Sequence, residues 1–568
     1  MYVMQYQLIT TLSFYLWCWH CHALQFVPAK FQNSTLQVRL PQGTIQGKLK
    51  ETSHRRLRYF SFEGIPFAEP PVGKLRFKPP IPARNWEGIL NTSRIFTSCV
   101  QVIPSALNDL IESEDCLYIN VFTPIKDLQN VNKDHLLPVM VWIYGGAFLL
   151  GSANSTYFGP DNLLKEDVVV AHFSYRLASF GFLSTEDLVS PGNYGLKDQH
   201  LALRWVKNNI RYFGGDPNKI TIFGESAGSA SVQYQLLYKK NEGLFQGAIS
   251  ESGSALCIWA FQRKPRKIAF DLGTVAGKTT SNSAELIEYL QSLSVEKLKS
   301  ATMKTAIKNS LGIIYGIPFA PTIEPEHPEA FLTDKPHQLL QDGKFVKIPY
   351  MIGFNSAETF VIQPALSMTA PLLRFYDINP GILVPSGMNA GRYTNEAGKL
   401  IKEFYLSDRP TAEHYLQYIN DGYFYRPIIE SARLHSRSAP TFMYCFSYEG
   451  MLGRKTLGYP RIDYYKGVVH TEEMAYIWFR NYLPEPNRPD KLIRDRMVRM
   501  WANFAKTGSP TPRQDLLLQN ISWPTVSSNM AYLDIDNNMV IKQQYRNKHM
   551  IFWKGLYDKY GKPPYDTY

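Results

Sequence analysis

The chain has 568 residues, 45% of them hydrophobic and 19% charged, which is a globular composition and excludes a disordered chain. With 37 Gly, 37 Pro and no repeat of 20–50 residues, collagen-like, low-complexity and solenoid architectures are excluded as well. The formal charge is +12, but there is no long basic run, zinc-finger spacing or RNA-binding signature, so the reading is a mildly cationic protein without a nucleic-acid partner.

In chain order, Leu8–Trp19 comes first: a short apolar run, too short to span a bilayer, followed by small residues at Cys21 and Ala23. This predicts a signal peptide over residues 1–23, cleaved after Ala23. Cys18-Trp19-His20-Cys21-His22 matches the pattern of c-type haem attachment, but lies within this leader, and no haem is expected. No later run is long and apolar enough to span a membrane, so stable membrane insertion is not expected and secretion is. N-x-Ser/Thr sequons at Asn33, Asn91, Asn154 and Asn520 are candidate glycosylation sites on that route. Four cysteines remain after the leader, Cys99, Cys116, Cys257 and Cys445, and an oxidising compartment favours at least one disulfide.

Continuous apolar runs predict buried strands at Val139–Tyr144, Val168–Phe173, Ile220–Phe223, Gly247–Ser250, Tyr350–Gly353 and Phe442–Phe446. Between them, Leu203, Val206, Ile210 and Phe213 have helical spacing, stopped by Gly214-Gly215. Leu492, Ile493, Met497, Met500, Trp501 and Phe504 repeat that pattern. The alternation predicts an α/β fold: one doubly wound, mostly parallel twisted sheet flanked by helices, with long insertions, in a single domain over 24–568. Gly273 to Thr279 is one residue short of a phosphate loop and follows a helix-like stretch, so nucleotide binding is not expected.

The strongest chemical signal is Gly224-Glu225-Ser226-Ala227-Gly228, which follows a strand pattern and precedes a helix-compatible run. That context is a nucleophile elbow, which lifts a serine hydroxyl above the sheet edge at a helix N-terminus. Upstream, Val139–Phe148 runs from a strand into Gly145-Gly146-Ala147, small residues of the kind that let backbone N–H groups approach a carbonyl oxygen.

On these motifs the chain resembles the type-B carboxylesterase/cholinesterase family of α/β-hydrolases. Glu114–Val121, Ser61–Pro80 and Pro191–Val206 match further blocks of that family, from about Val38 to the C-terminus. The resemblance implies a serine carboxylesterase with Ser226 as nucleophile, Glu358 (from Gly353-Phe-Asn355-Ser-Ala-Glu358) as acid and His470 as base. It places the oxyanion-hole donors at Gly146, Ala147 and Ala227. Ala147 stands where most relatives have a third glycine, and Thr471 replaces the usual glycine after the histidine. The resemblance further implies a Cys99–Cys116 disulfide and buried ion pairs Arg76–Glu114 and Arg176–Asp198. Cys257 matches half of a second disulfide whose partner position has no cysteine, leaving it either free or near Cys445. No metal or cofactor is needed for such a mechanism. The implied partner is a small-molecule ester, acted on by a monomer or weak homo-oligomer.

Val100–Asp115 contains no Trp, Tyr or Phe, so the aromatic wall of a choline site is missing. Glu225 differs from the Gln that usually precedes the nucleophile in juvenile hormone esterases. The motifs look most like secreted insect-type carboxylesterases acting on xenobiotic, odorant or pheromone esters. The alternative is an ester-binding or adhesion-type (neuroligin-like) member of the same fold; a lipase is a third reading.

Overall fold

A computed structural model describes residues 35–568 apart from 54–56, 96, 103–109, 126, 129–134, 310–315, 360–377, 407–410 and 457–466. The predicted leader and Asn33 lie outside the described residues.

Among the described residues, the core is a thirteen-stranded sheet. Its main path uses β1 (Thr35–Leu40), β2 (Gly43–Glu51), β3 (Arg58–Pro66), β4 (Tyr118–Thr123), β5 (Leu137–Ile143), β6 (Val169–Phe173), β7 (Gly215–Glu225), β8 (Gly247–Glu251), β9 (Tyr350–Asn355), β10 (Thr441–Phe446), β11 (Ala531–Ile535) and β12 (Val540–Gln543). They lie side by side in the order β1-β2-β3-β4-β6-β5-β7-β8-β9-β10-β11-β12, and Ile89–Asn91 adds to β2. From β6 to β11 all pairs are parallel, whereas β1 to β4 and β12 pair antiparallel.

The parallel centre is where the sequence carries unbroken apolar runs. Both faces of a parallel sheet are covered by crossover helices, so every side chain along a strand is buried. Val139, Met140, Val141, Trp142 and Ile143 are accordingly fully buried. All six predicted strands are present, with ends moved by a few residues.

The helices that matter for the site are α1 (Tyr194–Asn209), α2 (Ala227–Leu237), α3 (Thr394–Tyr405), α4 (Arg426–His435), α5 (Arg488–Thr507) and α6 (Asn547–Tyr560). After α1 a 3-10 turn, Ile210–Phe213, carries the apolar stripe on until Gly214, whose φ of 77° ends it. On α5, Ile493, Met497, Met500, Trp501 and Phe504 are buried, but Leu492 is exposed, one position outside the buried stripe. Gly273 sits within the helix Pro265–Ala276 and Gly277 caps it, so that glycine pair forms no strand-to-helix phosphate loop.

Most buried side chains form one cluster around the sheet; a satellite cluster joins Leu383, from the 3-10 turn Pro380–Leu383, to Ile401 and Tyr405 of α3, Tyr418 of the helix Ala412–Ile419, and Trp553 and Tyr557 of α6. Arg76 and Glu114 form a bidentate pair, as do Arg176 and Asp198, and all four are buried. Cys99 and Cys116 are disulfide-bonded, while Cys257 and Cys445 are free and buried. Of the sequons, Asn91 and Asn520 are exposed. Asn154 is 4% exposed, and its side-chain oxygen accepts the Thr156 N–H at 2.9 Å. Among the described residues, no helix is long and apolar enough to cross a membrane.

Candidate active site

Ser226 sits between β7 and α2 with φ 58° and ψ −122°, a conformation L-residues rarely adopt. The turn is possible because its glycines have no side chains. A β-carbon on Gly224 would lie 2.6 Å from the Ile143 carbonyl oxygen, and one on Gly253 2.5 Å from the Ser226 carbonyl oxygen. The Ser226 N–H donates to the Glu251 carbonyl at 2.9 Å, tying the turn to the end of β8.

Three predicted residues from distant parts of the chain meet here. His470 Nε2 is 2.8 Å from Ser226 Oγ, and its Nδ1 is 2.7 Å from Glu358 Oε2. The other oxygen of Glu358 accepts the Asn355 N–H at 2.7 Å, and the His470 N–H donates to the Glu358 carbonyl at 3.1 Å. Glu358 is fully buried, so it is no solvated loop residue.

Gly146 and Ala147 follow β5 and bend back with φ of 111° and 55°. Gly145 packs directly on the elbow, since a β-carbon there would lie 3.0 Å from that of Ser226. Ala227 opens α2, where the first N–H groups have no intrahelical acceptor. Among the described residues, no protein acceptor takes the N–H of Gly146, Ala147 or Ala227. These donors therefore remain free for an anionic oxygen.

The electrostatics are dominated by buried carboxyl groups. Glu225, Glu251, Glu358 and Glu473 are all within 5% of full burial. Glu225 Oε1 lies 3.1 Å from His470 Nε2. Burial alone would lower the His470 pKa; Glu225, then Glu358 and Glu473, outweigh it and raise the imidazole to about 9. Burial raises Glu225 and Glu473 above the usual carboxyl range, and His470 partly opposes both shifts. Burial, reinforced by Glu473, raises Glu251 well above that range, and the Trp501 indole donates to it at 2.7 Å. Ser252 Oγ (3.2 Å) and the Asn355 amide donate to Glu473.

Sequence reasoning did not single out Glu251, Asn420 or Phe424. Glu251 ends an apolar strand and stands opposite Glu225 in the β7–β8 register, a relation visible only once strand order is known. Asn420 and Phe424 lie in a helical stretch with no motif of its own. The segments 360–377 and 457–466, which flank Glu358 and His470 in the chain, lie outside the described residues.

The carboxylesterase family model matches residues 34–553. The chain is 34% identical over 555 residues to a carboxylic ester hydrolase of Bombus ignitus, covering 94% of this chain and 96% of the relative. It is 33% identical over 562 residues to venom carboxylesterase-6 of Apis mellifera, with the same coverages, 94% and 96%. It is also 34% identical to a juvenile hormone esterase of Tribolium castaneum, over 84% of each chain. Among solved structures, juvenile hormone esterase from Manduca sexta, with OTFP covalently attached, superposes with a TM-score of 0.81 at 29% identity, covering 92% of this chain and all of that one.

Proposed function

The chain belongs to the carboxylesterase family, has the α/β-hydrolase fold and is a carboxylic ester hydrolase; from that premise we propose a secreted serine carboxylesterase acting through Ser226, His470 and Glu358. The hydrogen-bonded line from Glu358 through His470 to Ser226 is the observation behind this reading.

In this mechanism His470 Nε2 takes the Ser226 proton as Oγ attacks the ester carbonyl carbon. The carbonyl oxygen becomes an oxyanion, held by the N–H groups of Gly146, Ala147 and Ala227; one such donor is typically worth about 3–4 kcal/mol of barrier. His470 returns the proton to the departing alkoxide, leaving Ser226 acylated. Water then attacks the acyl carbonyl, His470 takes the water proton and passes it to Oγ, and the carboxylic acid leaves. Glu358 fixes the Nδ1–H tautomer and stabilises the imidazolium. The OTFP covalently attached to the Manduca sexta relative supports a covalent intermediate here.

Secretion is supported by the apolar core Leu8–Trp19, by the Cys99–Cys116 disulfide, which needs an oxidising compartment, and by the venom origin in a relative's name. In this reading residues 1–23 are removed and 24–568 form one catalytic domain, with Asn33, Asn91, Asn154 and Asn520 as glycan sites, of which Asn91 and Asn520 are exposed. The substrates are small esters of the xenobiotic, odorant or pheromone kind, consistent with the absence of aromatic residues between Val100 and Asp115.

Hydrolysis of p-nitrophenyl esters from acetate to decanoate, by the secreted protein and its Ser226→Ala variant, tests the reading. Turnover is expected for the unsubstituted chain, with a loss of at least about 10⁴-fold in the variant. Equal turnover by both would remove Ser226 from the mechanism. A folded but inactive unsubstituted chain would instead support an ester-binding or adhesion-type protein.

A further inference from the structure

A π-helical turn, Asn420–Tyr425, separates the helix Ala412–Ile419 from α4. Such turns are rare and recur at functional sites. This one packs on His470 and bonds to residues on either side of Glu358. Asn420 is 2% exposed, and its Oδ1 accepts the N–H of Thr359 at 2.9 Å and its hydroxyl at 2.9 Å. Thr359 directly follows Glu358. The peptide joining them is therefore held at both ends, its carbonyl by the His470 N–H at 3.1 Å and its N–H by Asn420.

Four residues on, the Phe424 ring packs 5.1 Å from the His470 imidazole. The Tyr425 hydroxyl donates at 3.1 Å to the carbonyl of Asn355, whose N–H binds Glu358. The turn is anchored on its far side through Asp421, fully buried, which accepts the Tyr405 hydroxyl at 2.6 Å. His549 Nδ1 (2.6 Å), in the first turn of α6, and Arg546 Nε (2.8 Å), the residue before that helix, complete the anchor.

We propose that Asn420 is a positioning residue for ester hydrolysis: by engaging both donors of Thr359 it fixes the peptide after Glu358 and keeps that carboxylate aimed at His470 Nδ1. The proposal rests on the Ser226–His470–Glu358 reading above. A carboxylate whose backbone drifts by a fraction of an ångström holds the imidazole less well and stabilises its cation less.

The test is the pH dependence of kcat and kcat/KM for p-nitrophenyl butyrate, using the full chain and its Asn420→Ala, Asn420→Asp and Ser226→Ala variants. Asn420→Ala is expected to lower kcat about tenfold, with KM within about twofold, as for a lost buried hydrogen bond felt in the transition state. Its acid limb in kcat/KM moves to lower pH, because the loosened Glu358 no longer raises His470 as far. The other charged groups facing the imidazole, Glu225 at the end of β7 and Glu473 after His470, with Arg480 acting on Glu225, are left in place. Asn420→Asp keeps an oxygen at the Oδ1 position and restores kcat to within a few fold, with its acid limb at or above that of the unsubstituted chain.

Unchanged kinetics in Asn420→Ala would overturn the proposal. So would a fall in kcat with the acid limb fixed, or an Asp variant no better than Ala, since each marks a role in folding alone. If Asn420→Ala does not accumulate as folded protein, Asn420→Ser carries the same expectations. Full activity in Ser226→Ala would sink the underlying triad reading, whereas an inert Ser226→Ala beside an unaffected Asn420→Ala would sink the positioning role only.

Discussion

Gly228, in the first turn of α2, lies so close to the carbonyl of Ile143, the last residue of β5, that a β-carbon on it would stand 2.0 Å from that oxygen. This backbone contact sets the distance between the two sources of oxyanion donors: Ala227 moves with α2, and Gly146 and Ala147 follow β5. Gly228→Ala must push the two elements apart by about 1 Å, a misplacement of the size that costs on the order of 100-fold in rate. We expect kcat/KM to fall at least about 100-fold, with a lower unfolding midpoint. Activity within a few fold of the parent would show that this contact does not set the donor geometry.

The pH profile reports the buried carboxyl groups around His470. A general base works only when neutral, so activity rises with pH through its pKa. With His470 raised towards 9 by Glu225, Glu358 and Glu473, the acid limb of kcat/KM is expected above the ordinary histidine value of about 6.5. Glu225→Gln removes the leading charge that raises it, and the limb moves to lower pH. A limb that stays put would mean that Glu225 is neutral when His470 titrates.

How much of this was legible in the sequence depended on burial pattern. Val139–Ile143 reads as a strand because both faces of the sheet are covered, and Gly224–Gly228 as an elbow because a strand precedes it and a helix follows. The antiparallel edge escaped notice. In β1, Val38 and Leu40 are buried while Gln37 and Arg39 face solvent, so the apolar run is broken at every second residue. At the site, Glu358 and His470 were found through motif resemblance, since neither carries a local signal that separates it from an ordinary loop residue. Asn420 and Phe424 could not be found, because Asn420 meets Thr359, 61 residues upstream, and Phe424 meets His470, far downstream, and no local periodicity encodes either contact.

The buried pair Arg176–Asp198 is a scaffold whose loss is measurable. Arg176 Nε and Nη2 donate to Asp198 at 2.8 and 2.6 Å, its backbone N–H donates to Asp198 at 3.0 Å, and Nη1 reaches the Lys78 carbonyl at 2.8 Å. With both side chains at 4% exposure or less, removing one partner strands the other's charge in the interior. Asp198→Ala is expected to cost about 3–5 kcal/mol by urea unfolding. Arg176→Met combined with Asp198→Leu is expected to cost less than the two single changes together, since no charge is left behind. Additive losses in that cycle would show that the two side chains act independently.

Thr471, like Ala147, stands where the family resemblance leads to the expectation of a glycine. Its φ is 76°, in the left-handed region that a β-branched residue occupies only under strain, and it directly follows His470. Strain of this kind is worth about 1–3 kcal/mol. Glycine would relieve it while giving back up to about 1 kcal/mol through the freer unfolded chain. Thr471→Gly is therefore expected to stabilise the protein by about 1 kcal/mol. The bonds of His470 to Ser226 and Glu358 do not involve the Thr471 side chain, so kcat is expected to stay within about threefold. Denaturant midpoints of the two proteins, with kcat measured alongside, decide it. A less stable glycine variant would mean that contacts of the threonine side chain offset the backbone strain. A more stable variant with a large drop in kcat would mean that the strained backbone itself orients the imidazole.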